Sequence, residues 1–262
     1  MKYYVVADVH GFFDELWSAL DEAGFFTDTE ESKLIVCGDL LDRGGQAVET
    51  VNFMLGLQKA GRLIYICGNH EDLLVECLQE IARGDVYEVA EEYSHHFRNR
   101  TWDSLLQLGG MTHDEAIRSP RELVSEVMRS DFYKKLLPEA VDFYETDNYV
   151  FVHGWIPCRI TGYRPFYEFK YDPDWRFASY ESRKRSRWVN GIELACKKGI
   201  LEPRKTVVCG HFHASYGHAV IDGKGTEFHE GADFSPFYAD GIIAIDACTA
   251  FSHKVNCIVI ED

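Results

Sequence analysis

At 262 residues and 46% hydrophobic content, the chain can bury a sizeable core, and one α/β domain can fill that length. A formal charge of −16 excludes a general binder of nucleic-acid backbones, which presents a basic surface. No apolar run approaches the roughly 18 residues of a membrane helix, and the stretch before Asp8 is too short for a secretory leader.

In chain order, short apolar runs at residues 3–6, 34–37, 63–67, 149–152 and 206–209 are rich in Val, Ile and Tyr and are stopped by Gly or Asp. Each reads as a buried strand that delivers polar residues at its carboxyl end. Helical spacing of Phe12, Leu16, Ala19, Leu20 and Ala23 predicts a helix over 12–23, stopped by Gly24. A second helix is expected over 47–60, so the first three strands lie parallel. From about residue 72 to 145 the pattern turns charged and helix-periodic, with helices expected over 72–83 and 120–137 and one or two more within 86–108. This stretch reads as a helical insertion within a single domain of residues 1–262, either part of a substrate wall or a solvated cap. Residues 163–175, with Tyr163, Phe166, Tyr167, Phe169, Tyr171 and Trp175, read as an aromatic loop able to anchor itself or to stack on a ring. The last runs, 241–245 and 255–260, read as two strands joined by a turn near Ser252 and His253.

Five motifs sit at the strand ends: Asp8-Val9-His10, Gly38-Asp39-Leu40-Leu41-Asp42-Arg43-Gly44, Gly68-Asn69-His70-Glu71, His153-Gly154 and Gly210-His211-Phe212-His213. Of the eight cysteines, Cys37, Cys67 and Cys209 each stand before a motif glycine, so small, buried, reduced thiols and a cytoplasmic protein are expected. Five motifs in register carry far more weight than a chance DxH or GHxH. Together they resemble the calcineurin-like metallophosphoesterases, with the GDxxDRG and GNHE forms most similar to the phosphoprotein phosphatase branch and its bacterial relatives.

The resemblance implies an α/β fold, a four-layer α/β/β/α sandwich with helices outside two central sheets, and two adjacent metal ions. A carboxylate with two oxygens suits a bridging role, and the resemblance gives it to Asp39. Asp8, His10 and His213 would complete the first metal's ligands, and Asn69, His153 and His211 the second's. Imidazole and carboxylate without thiolate favour manganese, with iron, zinc or cobalt as alternatives, over magnesium or calcium. By the same resemblance His70 is the general acid, Asp42 the carboxylate that orients it, and Arg43 a phosphate clamp. Glu71 is expected behind the ligands, with His218 as a further supporting candidate.

Two departures bear on substrate. Phosphoprotein phosphatases usually carry Arg before GNHE, where this chain has Cys67, and they normally lack the second histidine of GHxH, here His213. The basic run at residues 183–188 offers Arg187 as the replacement cation, against the alternative of a solvated helix face. The sequence therefore implies a phosphoesterase acting on a phosphorylated protein or small phosphorylated molecule, with no nucleic acid and no membrane partner. A serine/threonine protein phosphatase is the first reading. A dinucleoside polyphosphate hydrolase is the alternative, and a metal-stabilised scaffold is the non-enzymatic one.

Overall fold

The computed structural model describes residues 1–28, 31–163 and 166–262; the side chains of Tyr163 and Phe166, two of the candidate ring-stacking aromatics, lie outside the described residues. Two sheets dominate. The first has order β11-β1-β2-β3, with β1 (Lys2–Val6), β2 (Ser32–Cys37) and β3 (Leu63–Ile66) parallel and β11 (Cys257–Glu261) antiparallel to β1. The second has order β4-β5-β8-β10-β9. In it β5 (Tyr149–Phe151), β8 (Thr206–Cys209) and β10 (Ile242–Ala244) are parallel, flanked by antiparallel β4 (Tyr144–Glu145) and β9 (Phe237–Ala239).

Side-chain alternation explains the layering. Successive residues of a strand point to opposite faces. Tyr3, Val5 and Ala7 join Ile35, Cys37, Phe151, Val208, Ile245 and Ile258 in a core between the sheets. Tyr4, Val6, Leu34 and Val36 face the other way, into a core shared with helices α1 (Phe13–Glu22), α2 (Ala47–Lys59) and α3 (Asn69–Arg83). On the outer face of the second sheet, Val150, Val152, Val207 and Ile242 pack under Trp155, Trp175 and Leu194. The expected α/β/β/α sandwich is therefore present, its fourth layer made of short pieces: a turn at Trp175–Phe177, α9 (Tyr180–Ser186) and a turn at Glu193–Lys197.

Between β3 and β4 run α3, α4 (Val86–Ala90), α5 (His95–Arg98), α6 (Thr101–Gly109), α7 (His113–Arg118) and α8 (Pro120–Arg129). Trp102, Leu105, Leu123 and Val127 share one core with Val6 and Val36, so these helices are packed on the first sheet and do not stand off as a solvated cap. The expected helix over 120–137 ends at Arg129 and is followed by a separate turn at Phe132–Leu136.

Two further expectations are corrected. The aromatic segment is an antiparallel hairpin, β6 (Arg159–Tyr163) with β7 (Phe166–Lys170), because alternating residues pair across it. After β8 comes α10 (Ala214–Tyr216), and the last two strands are joined not by a simple turn but by a short helix, α11 (Thr249–Ser252), which carries the chain from β10 in one sheet to β11 in the other. All eight cysteines are free; Cys37 and Cys209 are buried, and Cys67 is only partly so. Among the described residues no helix is long and apolar enough to cross a membrane.

Arg187 follows α9 and is 7% exposed. Its Nη1 donates to Asp72 at 2.7 Å and its Nη2 to Asp142 at 2.7 Å, tying the start of α3 to the segment before β4. Both terminal nitrogens are engaged, so the expectation that Arg187 holds substrate phosphate is corrected: its charge is taken up within the fold. The reading of the run as a solvated face fails at this residue too. Removing one partner of a buried pair strands the others, so Arg187→Ala should lower the unfolding free energy in urea by about 3–5 kcal/mol. Lys184→Ala, which breaks a more exposed pair with Glu76, should cost about 1 kcal/mol or less. Unchanged stability with weakened turnover would return Arg187 to the substrate.

Candidate metal centre

In five of six parallel strands one polar residue stands two positions beyond the strand's last residue: Asp8 after β1, Asp39 after β2, His153 after β5, His211 after β8 and Asp246 after β10. After β3 it is Asn69, the first residue of α3. These carboxyl ends are where α/β sheets place their chemistry, and the parallel register brings them to common rims. The two rims are stitched together. His153 Nδ1 donates to the Cys37 carbonyl at 2.8 Å, and the His211 amide donates to Asp8 Oδ2 at 2.9 Å.

The local backbone is unusual. Asp8, His10, Asp39, Asp42, Arg43 and His211 all have positive φ, between 51° and 74°. L-residues adopt this region reluctantly, and such conformations cluster at functional sites. Gly38, at φ +81°, precedes Asp39, and a Cβ there would strike the His153 ring.

Asp39 is the hub. One group of metal-type donors combines His10, Asp39 and His70, and a second combines Asp39, His153 and His211; within each, the donor atoms all lie within 4.8 Å of one another. Asp39 Oδ2 lies 3.9 Å from the Nε2 atoms of His10 and His70, and Asp39 Oδ1 lies 3.3 Å from His153 Nε2. Asn69 Oδ1 is 2.8 Å from His153 Nε2 and so converges on the second group. His10 gives its Nδ1 proton to the Leu41 carbonyl at 3.0 Å, which turns Nε2 toward Asp39. These imidazoles are oriented by backbone carbonyls from behind, as metal-ligating histidines are.

The electrostatics fit a bound cation. Burial and the charge of Asp246 push Asp8 well above the usual carboxylate range. Burial opposes charge on His153, yet the charge and hydrogen bond of Asp39 push it up to about 10. Burial and the neighbouring His153 push His211 down to about 3. Carboxylates crowded into a buried space with imidazole nitrogens turned toward them form a donor set that a transition-metal ion satisfies, displacing the proton that His153 otherwise holds.

His70 Nδ1 donates to Asp42 Oδ2 at 2.7 Å, while Arg43 Nη2 lies 3.2 Å from His70 Nε2. A guanidinium only donates, so Nε2 accepts from Arg43 in this arrangement. Burial opposes a charge on His70, but Asp39 and Asp42 outweigh it and raise its pKa. The expected trio of His70, Asp42 and Arg43 is therefore assembled beside Asp39.

Other expected residues are placed differently. Asp8 is buried on the His211 amide, outside both donor groups. His213 also stands outside them: its Nε2 is 2.8 Å from Glu227 Oε1. His218 donates to the Ser235 carbonyl at 3.1 Å and supports no ligand. Glu71 does stand behind the ligands, accepting from the amides of Gly68, Asp39 and Leu40.

Sequence reasoning missed Asp246, although the apolar run that it ends gave the same signal as the other strands. It also missed Thr101, whose hydroxyl donates to Asp42 Oδ2 at 2.7 Å, and Ser104, which accepts from the Asp42 amide at 2.9 Å. Their partner is distant in the chain, and no local pattern marks them.

The family model for calcineurin-like phosphoesterases matches residues 1–227. The chain belongs to that family. Calcineurin-like phosphoesterases use divalent metal ions, in keeping with the Asp39-centred donor groups. Among curated proteins, the chain is 32% identical over 85 residues to the asymmetrical bis(5'-nucleosyl)-tetraphosphatase PrpE of Bacillus subtilis, covering 30% of this chain and 35% of that protein. It is 40% identical over 83 residues to the symmetrical bis(5'-nucleosyl)-tetraphosphatase of Aliivibrio salmonicida, covering 32% of this chain and 29% of that protein. The chain thus spans about a third of the length of these relatives. Among solved structures, a mutant cold-active protein tyrosine phosphatase superposes over 100% of this chain and 75% of its own, with a TM-score of 0.50 at 16% identity, a likeness of fold.

Metal analysis of the reconstituted protein should give two ions per chain, and Asp39→Ala should bring the count below one, because both donor groups share that carboxylate. A stoichiometry of one that Asp39→Ala leaves unchanged would remove the bridging assignment.

Proposed function

We propose that the chain is a dinuclear-metal phosphoesterase whose substrates are dinucleoside polyphosphates. The observation that carries the catalytic part is one buried carboxylate, Asp39, shared by two donor groups with the His70–Asp42 pair beside it. Asp8, His10, Asp39 and His213 would hold one ion, and Asp39, Asn69, His153 and His211 the other. When bound, two such ions polarise phosphoryl oxygens and supply an ionised water near neutral pH. Manganese suits the donor set, with iron, zinc or cobalt as alternatives.

The chain's own residues account for the rest of the chemistry. Arg43 now caps His70 Nε2. A phosphate that draws the guanidinium into a fork contact would uncover that nitrogen. Asp42, fixed by Thr101, holds the imidazole by Nδ1 and supports its charged form, so His70 can deliver a proton from Nε2 to the departing oxygen. A scaffold without activity has no need of this trio, and its assembly speaks against that alternative.

On substrate, the sequence put the serine/threonine protein phosphatase first. The names of the relatives support the alternative instead, since both curated relatives are bis(5'-nucleosyl)-tetraphosphatases. A net charge of −16 also disfavours acidic phosphopeptides, leaving only basic ones for the protein phosphatase reading. With the manganese-loaded protein, kcat/KM for diadenosine tetraphosphate should exceed that for phosphoserine peptides by at least about tenfold, a difference of about 1.4 kcal/mol in transition-state binding. Chromatography of the products then separates ATP plus AMP from two ADP. A preference for phosphopeptides would restore the protein phosphatase reading.

His70→Asn should lower turnover of an alkyl phosphate by roughly 10²–10⁴ with both metals retained. The loss should be smaller for nitrophenyl phosphate, whose leaving group scarcely needs a proton. Equal losses on the two esters would count against His70 as the acid.

A further inference from the structure

Two connections that carry metal-rim residues, from β8 to β9 with His211 and from β10 to β11 with Asp246, also carry aromatic rings, and these rings meet. Phe212 stacks on His213 with centroids 4.9 Å apart and planes at 22°, and Phe228 lies 4.5 Å from His213. Phe251, on α11, is 6.1 Å from Phe228 and 5.7 Å from Phe234. None of these phenylalanines belongs to any of the three hydrophobic cores. Phe228 is 39% exposed and Phe251 54%.

The array is pinned to the metal rim from several sides. His213 lies two residues beyond His211, and Glu227 fixes its ring through Nε2. Ser215 holds the Glu227 carbonyl at 2.7 Å, which sets the position of the adjacent Phe228. The Ala214 amide donates to the Asp246 carbonyl, and Thr249, in the same short helix as Phe251, donates its hydroxyl to the Asp8 carbonyl at 2.8 Å. Exposed rings cost solvation, and a contiguous, anchored set beside a reaction centre is the usual form of a ring-binding surface.

We propose that Phe228 and Phe251, backed by the His213 ring, form a stacking floor for the nucleobase of a substrate whose phosphate lies at the metal centre. This rests on the nucleotide reading above and names the residues that would give it selectivity. The occupant follows from continuity and charge. The floor adjoins His211, so a ring on it and a phosphate at the metals belong to one molecule. The segment that carries Phe228 also carries Glu227, Glu230 and Asp233, which suits a neutral base and repels an acidic phosphotyrosine peptide. Stacking tolerates any base, because every base has a π face.

The test is calorimetric binding of AMP, ribose 5-phosphate and a phosphotyrosine peptide to the metal-loaded chain. AMP should bind more tightly than ribose 5-phosphate. Phe251→Ala and Phe228→Ala should weaken AMP by roughly 5- to 100-fold, the scale of one base stacked on an aromatic ring. Ribose 5-phosphate binding and metal content should stay unchanged, and Phe251→Trp should keep the AMP affinity. Equal binding of AMP and ribose 5-phosphate by the wild type, equal losses for both ligands in the variants, or a preference for the phosphotyrosine peptide would each overturn the proposal. Phe251 is exposed, so its variant tests the idea even if Phe228→Ala fails to fold. Base-selective binding without hydrolysis of diadenosine tetraphosphate would sink the proposed reaction and leave this floor standing; hydrolysis without base selectivity would do the reverse.

Discussion

The site depends on a carboxylate that the fold forces into a buried position. Asp39 is 2% exposed and is faced by His10, His70 and His153 within 4 Å. Burial alone would neutralise it, but the surrounding imidazoles hold its pKa well below the usual range. An ionised carboxylate in such a place needs partners on every side. Its own backbone supplies some of the constraint: Glu71 accepts from the Asp39 amide, and the His70 amide donates to Asp39 Oδ1 at 2.9 Å. The loop after β2 and the start of α3 are thereby locked as one piece, which sets the hub, the candidate acid and its carboxylate in fixed relation.

Six site residues in the left-handed region add to the demand on the surrounding structure, because each such residue costs about 1–2 kcal/mol against an ordinary conformation. Part of what holds them comes from α6, far along the chain. Ser104 and Thr101 grip Asp42, Gln107 bonds the Ala47 amide and the Gly44 carbonyl, and Arg100 donates to the Arg43 carbonyl at 2.7 Å. The helical stretch between β3 and β4 therefore fixes, from behind, the loop that presents Asp42 and Arg43. Its apolar side is continuous with the core of the first sheet, so rigidity passes from packed helix to strained loop.

Much of this was legible in the sequence because strand ends are marked twice, by the apolar run and by the Gly or Asp that stops it. That signal located β1, β2, β3, β5 and β8 and the polar residue after each. It also found β10 and β11 but could not assign them to separate sheets, because periodicity reports that a segment is extended and says nothing of the sheet it joins. The hairpin of β6 and β7 was read as a loop because its density of aromatic residues weighed more than its period-two pattern. Asp42's helpers on α6, and Glu227 on His213, are tertiary contacts across 59, 62 and 14 positions, and no spacing rule reaches them.

The fate of Arg187 shows how a local reading of charge can mislead. The run at 183–188 looked like a reservoir of cations for a phosphate left short by Cys67. Arg187 does lie close enough to Cys67 for the two to influence each other's charge. Yet two carboxylates reach it first, and Arg183 joins the same Asp142 at 3.0 Å. A guanidinium held through both terminal nitrogens cannot turn to a passing phosphate without stranding Asp72, itself 8% exposed. Arg98 rests over the Tyr93 ring and Arg100 is paired with Asp103, so these two arginines of the helical stretch are also engaged. Arg43 differs from all of them: its described contact is to a neutral imidazole nitrogen, which releases a guanidinium at far lower cost than a carboxylate does. In a chain this acidic, the proposed reaction would leave phosphate attraction to Arg43 and to metal ions at the Asp39 donor groups, and selectivity between phosphates would have to come from uncharged contacts at the rim.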